Sequence, residues 1–262
     1  MTDSVVASAR SRPLAISWIR ALQVLLRADT AVQLRNKRSL ALSLFLPLAM
    51  MFALFSAKRA KVLGDPRLLV AECVTVGIVT LGVIGYSTAV ARDREQGVFQ
   101  RLRVTPAPTW TIMCSRFVVQ VAAVLVMAVV VLVAAFVVEH VALDPVGYPL
   151  TLAVLVLGGV VFLSIGQAIA ALIPSAETLN GIGRFILVPL IALSLFGHTD
   201  VLGTTVEYIS RWSPGGAFAS MLAGAMNPSV WSGETWGALL VSLGYSAVFA
   251  GVGIRWFRWT AR

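Results

Sequence analysis

Charge is the first scarcity. Only 13% of the 262 residues are Asp, Glu, Lys or Arg, while 58% are hydrophobic. A soluble domain carries about 25% charged residues. A surface wetted on all sides is therefore excluded, and most of the chain belongs in lipid. Acidic residues are the scarcer sign, 12 against 21 basic, for a net charge of +9. In a soluble protein that excess would suggest nucleic acid. Here the basic residues stand at the ends of apolar runs, which points to membrane topology and anionic lipid. Cysteine is limited to Cys73 and Cys114, near ends of their runs that face opposite sides of the membrane. A disulfide needs Cα atoms within about 7 Å, so both thiols are expected to be free. The histidines are His140, beside Glu139 and Asp144, and His198, beside Asp200. Without His-x-x-x-His spacing they read as polar ends of spans, not metal ligands. No Gly-Lys pair exists, so the chain has no phosphate-cradling Gly-x-x-x-x-Gly-Lys-Ser/Thr loop. The Gly-x-Ser-x-Gly pattern of a serine nucleophile is missing too. A cleavable signal is not expected, because a long polar and amphipathic stretch precedes the first apolar run.

What is present is a series of apolar runs. A span needs roughly 20 apolar residues, and the runs fall at about 39–57, 69–91, 112–138, 150–173, 181–197 and 236–254. The expected fold is all-α, a six-span domain over 39–254. Residues 1–38 precede it and residues 255–262 form a tail. Within the N-terminal segment, 14–38 reads as an amphipathic helix. Arg20, Gln23, Arg27 and Thr30 share one face, with Ile16, Ile19, Leu22 and Leu26 opposite. Such a helix can lie in the headgroup plane. With both termini in the cytoplasm, the large majority of Lys and Arg fall inside, as the positive-inside rule asks. The cluster from Lys58 to Lys61 then falls outside, against the rule. The segment 198–235 is broken by Pro214, Gly215, Gly216 and Pro228. It reads as an external re-entrant pair of short helices, since a seventh span at 205–226 would put the C-terminal arginines outside. Irregular backbone at that depth must be shielded by protein or water.

The segment 92–106 is the most informative. It reads as a short cytoplasmic helix ended by Pro106, with Arg94 and Arg101 on one side and Glu95 and Phe99 one turn apart. On composition alone it is equally a basic loop that fixes orientation. Its order, Arg94-Glu95-Gln96-Gly97 and then Leu102-Arg103-Val104-Thr105-Pro106, resembles the conserved loop of the ABC type-2 permeases, the drug, antibiotic and polysaccharide exporters. Arg116 stands where that family often has a basic residue, and the similarity runs through Trp212-Ser213-Pro214-Gly215-Gly216 over nearly the whole chain. Ser213-Pro214 replaces the family's frequent Asn-Pro, and Asn227-Pro228 comes later. The resemblance implies an exporter subunit in the cell membrane, without an ATPase site of its own. Two such permease chains, alike or related, dock on two ATP-binding subunits that hold ATP and Mg. It also implies an ATPase-coupling contact at Arg94, Glu95, Gly97, Phe99, Arg101 and Leu102.

Polar residues within spans are few: Glu72, Gln120, Gln167 and Arg184, with Asn180 near the last. They are candidates for a transport pathway by default, although Glu72 and Arg184 can also snorkel to the interface. So few buried charges suit an apolar or amphipathic cargo, such as a drug or lipid-like molecule. They argue against a secondary transporter or channel, which would need intramembrane charges for ion coupling. A membrane enzyme would need Asp, His or Ser clustered at one face, and none is readable. Leu163-Ser164-Ile165-Gly166-Gln167 superficially resembles an ABC signature motif, but it lies within an apolar run. With Gly77, Gly82, Gly85, Gly158 and Gly159 it reads as close helix packing.

Overall fold

The computed structural model describes residues 18–35, 37–55, 65–103, 109–183, 185, 189 and 203–256. Among these, every regular element is helical. We label them α1 (Trp18–Arg35), α2 (Lys37–Phe55), α3 (Pro66–Glu95), α4 (Val98–Arg103) and α5 (Thr109–Glu139). Then follow α6 (Gly147–Leu172), α7 (176–183), α8 (Thr204–Trp212), α9 (Pro214–Met226) and α10 (Gly233–Trp256). Helices α3, α5, α6 and α10 are long and apolar enough to cross a membrane. The chain is an all-α polytopic membrane protein. The first expected span corresponds to α2, whose apolar part is Ser43–Phe55. Most of the fifth, 181–197, lies outside the described residues, as do the Lys58–Lys61 cluster, His198 and residues 257–262.

Helix ends follow local chemistry. Asp65 accepts the Arg67 backbone N–H at 2.9 Å, and Pro66 occupies the first turn. This cap starts α3 at Pro66, before the expected 69, because a capped first turn needs no apolar residue. At 30 residues α3 is about 45 Å long, so its far end projects beyond the hydrocarbon. Helix α5 ends at His140 in the left-handed region (φ 54°), with the Val141 N–H reaching back to the Ala135 carbonyl at 3.4 Å. That closes the helix as a C-terminal cap does.

Helix α6 lies at the centre, packed by α3, α5, α9 and α10. Small residues set these approaches. A Cβ on Gly166 would fall 2.2 Å from the Gly82 carbonyl oxygen, so α3 and α6 meet backbone to backbone. A Cβ on Gly158 would strike the Phe218 ring, which itself stands edge-on to Phe162 at 5.9 Å. Ser164 satisfies its hydroxyl on the Val160 carbonyl at 2.7 Å within α6. Gly166 in the 163–167 segment therefore serves close helix packing, as its apolar setting suggests. From Leu69 to Ile78 every residue of α3 is buried, whereas α5 exposes Val126, Val133, Phe136 and Val137. An apolar outer face of this kind suits lipid, where there is no water to exclude.

Helices α8 and α9 form a hairpin turning at Ser213. The Ser213 hydroxyl accepts the Gly216 N–H at 3.1 Å, with Pro214 in the first turn of α9. The turn reaches the middle of α10, where Tyr245 donates to the Trp212 carbonyl at 3.0 Å. Helix α9 then runs back until its Met226 carbonyl accepts the Asp144 N–H at 3.2 Å, beside the start of α6.

Candidate functional site

The segment expected as one helix over 92–106 is divided. Residues 92–95 are the last turn of α3, and Gly97, with φ +67°, turns the chain into α4. A side chain at that φ is strained. Arg94 is 2% exposed and points inward. Its guanidinium donates to the carbonyls of Ala170 (2.9 Å), Ile173 (2.8 Å) and Pro174 (2.9 Å) at the C-terminal end of α6. Glu95 accepts the Ala176 N–H at 2.8 Å, at the N-terminal end of α7. A cation thus meets the negative pole of one helix and an anion the positive pole of the next. The neighbouring pair holds the α6–α7 linker from both sides of Pro174.

Helix α4 presents two faces. Phe99 is fully buried, with 0% exposure, against Tyr86, Val90, Leu163 and Ala170. Arg116 lies over the Phe99 ring at 4.7 Å and pairs with Asp93 at 2.5 Å. Phe99 and Arg94 are therefore not surface contacts; each supports the surface from behind. Gln96, Gln100 and Arg101 are exposed, and Glu95 keeps an exposed edge. Leu102, half-buried, helps line a cavity of about 330 Å³ shared by α1, α3, α4 and α5. Asp29 of α1 enters that cavity and accepts from the Ser115 hydroxyl at 2.5 Å. Burial pushes the Asp29 carboxyl above its usual range, against the lowering effect of Ser115 and Arg116; Asp93 adds to the rise. Asp29, Asp93 and Ser115 were not among the candidates from sequence. Asp29 was findable, because it falls three and seven residues after Leu26 and Leu22, on the apolar face of α1.

Among the described residues, the intramembrane candidates do not form one site. Gln120 is buried and makes a long contact, 3.4 Å, to the Leu81 carbonyl. Leu81 lies in a π-helical turn of α3, Val79–Gly85. Gln167 accepts the Tyr86 hydroxyl at 2.8 Å, just beyond that turn. Glu72, 2% exposed, is enclosed by protein near the opposite end of α3, so it does not snorkel outward. Arg184 lies outside the described residues. Both cysteines are free, Cys73 buried and Cys114 half-buried.

The end opposite α4 carries a second polar tie. Arg67 reaches Asp144 at 3.9 Å. Asn227, with its amide nitrogen toward Asp144, donates to Oδ2 at 2.9 Å and accepts from Arg67. This joins the start of α3, the α5–α6 loop and the end of α9. Arg211 bridges Glu207 (2.7 Å) and Glu234 (2.9 Å), fastening α8 to α10.

A family model described as ABC-2 type transporter matches residues 20–227. No curated protein matches the chain.

Proposed function

The chain belongs to the ABC-2 type transporter family, as its membrane permease component and not the ATPase, and from that premise we propose that it works as an exporter subunit. In this reading a separate chain binds and hydrolyses ATP with Mg, and this chain binds no cofactor. It pairs with a second permease and moves an apolar or amphipathic molecule out of the cytoplasm. The observation that carries the coupling is the grip of Arg94 and Glu95 on the α6–α7 linker. The exposed side of α4, with Gln96, Gln100 and Arg101, is the docking surface for the ATPase. Buried Phe99, with Arg116 over its ring, makes α4 rigid against α3 and α5. Motion imposed on α4 then passes through Gly97 into Glu95 and so to α7. Exposed arginines at 20, 27, 35, 92, 101 and 255 support placing this end and both termini in the cytoplasm, under the positive-inside rule.

Two tests address this reading. A mild-detergent pull-down from native membranes, read by mass spectrometry, should bring down a partner with a phosphate-loop motif in stoichiometric amount. Glu95→Ala removes the anion at the α7 N-terminus, and Gly97→Pro forces φ near −65° where +67° is needed. Each should abolish ATP-driven transport while the chain still inserts in the membrane. Normal transport in both variants would refute the coupling role. A second reading, a partner-free transporter, draws support from buried Glu72, since an enclosed carboxyl in a span can carry a proton. Transport that persists after ATP depletion and is lost in Glu72→Gln would favour it.

A further inference from the structure

A cavity of about 460 Å³ lies between α5, α6 and α10, with Tyr86 of α3 on its inner wall. That volume is in the range of small-molecule sites, roughly 300–1,000 Å³. Its walls are Met113, Phe117, Val118, Val160 and Ile254 with a few polar groups, and no Asp, Glu, Lys, Arg or His is among them. Tyr86 occupies the Oε1 of Gln167 at 2.8 Å. Beyond that bond the Gln167 side chain keeps one acceptor lone pair and its two amide N–H donors. Ser164 spends its proton on the Val160 carbonyl, so its hydroxyl can only accept. Gly253 makes room for this floor, since a Cβ there would fall 2.8 Å from Gln167 Cγ.

The mouth opens between Val118 (47% exposed) and Ile254 (80% exposed), on outward faces of two spanning helices. Trp110, on α5, and Trp256, on α10, are half-exposed near the same end of the bundle. Tryptophan at such positions marks the membrane interface. From Trp110 to Val118 is about 12 Å along the helix axis. The cavity thus starts near the headgroup level and runs into the hydrocarbon. Hydrocarbon supplies no acceptor for an amide N–H, and an unmet donor there is costly.

We infer that this cavity binds a neutral, single-chain amphiphile drawn from the bilayer, its ester or hydroxyl oxygen on the Gln167 amide and its chain leaving between Val118 and Ile254. An anionic or zwitterionic head finds no countercharge on these walls. The site depends on α5 and α10 spanning the membrane and not on an ATPase partner, so its failure and that of the exporter reading are separable.

Cys114 sits on the cavity wall as a free thiol, and in a Cys73→Ala chain its maleimide labelling reports occupancy. The full chain is placed in phosphatidylcholine nanodiscs with monooleoylglycerol, oleate or oleoyl-lysophosphatidylcholine, which share one acyl chain. Monooleoylglycerol should slow labelling by about tenfold, the effect of roughly 1.4 kcal/mol, and the other two by less than about twofold. Gln167→Leu should remove that difference between heads. A diazirine-tailed monoacylglycerol, cross-linked to the unaltered chain, should map to the peptides holding Val118 and Ile254. Val118→Trp, which fills the mouth, should lose that cross-link. Equal protection by all three amphiphiles, or cross-links spread evenly over the outer face of α5, would overturn the inference.

Discussion

Burial at Asp29 sets a pH dependence that belongs to one side chain. Its carboxyl is held above the usual range chiefly by desolvation. Between the ordinary carboxylate pKa and the raised one, the folded chain keeps a proton that the unfolded chain has released. Stability therefore falls as pH rises through that window, and the cost is complete above the raised value. Asp29→Asn keeps an acceptor for the Ser115 hydroxyl and removes the ionisation. Thermal unfolding of this variant in detergent should lose the decline with pH and match or exceed the parent at neutral pH. A steeper decline would show that the Arg116 attraction outweighs burial. The candidates among these residues were only half legible in the sequence. The run Arg94-Glu95-Gln96-Gly97 marks itself by order and spacing. Its targets, Ala170, Ile173, Pro174 and Ala176, lie far along the chain, and nothing local in a single sequence pairs such positions. Phe99 was read as a contact because an aromatic on a short cytoplasmic helix can face either way. Only the packing of Tyr86, Leu163 and Arg116 around it settles which.

At the scale of elements, hydropathy runs located the long helices, since lipid demands length and apolarity of each span. The Pro-Gly-Gly break foretold the α8–α9 hairpin, because a proline opens a helix and cannot continue one. The π-helical turn of α3 was invisible. Val79–Gly85 has no composition that separates it from α-helix, and the turn is fixed by its neighbours. Among these is the Gly82–Gly166 crossing, whose closeness can be tested. Gly166→Ala places a Cβ against backbone that cannot yield. The cost should be about 1–3 kcal/mol, seen as a lowered unfolding temperature. Gly159→Ala, whose Cβ would meet only ordinary contacts, should be tolerated.

For the whole molecule, the two ends of the bundle differ in kind. One end carries α1, α4 and a set of exposed arginines; the other carries the Arg67–Asp144–Asn227 tie and the closing turn at His140. If the arginine-rich end is cytoplasmic, Gln100→Cys in intact cells should resist a membrane-impermeant thiol reagent. His140→Cys should react with it, and the reverse pattern would invert the topology.

The grip on the α6–α7 linker also has a grammar. Arg94 and Glu95 are adjacent, so exchanging them by Arg94→Glu and Glu95→Arg changes neither composition, net charge nor hydropathy. Every bulk property from which the chain reads as a membrane protein survives. Yet each charge would then face the helix pole of its own sign, with a carboxylate set against three carbonyl oxygens and a guanidinium against a backbone N–H. The doubly exchanged chain should insert in the membrane and, like Glu95→Ala, fail to transport. In this corner of the molecule, information resides in word order and not in vocabulary.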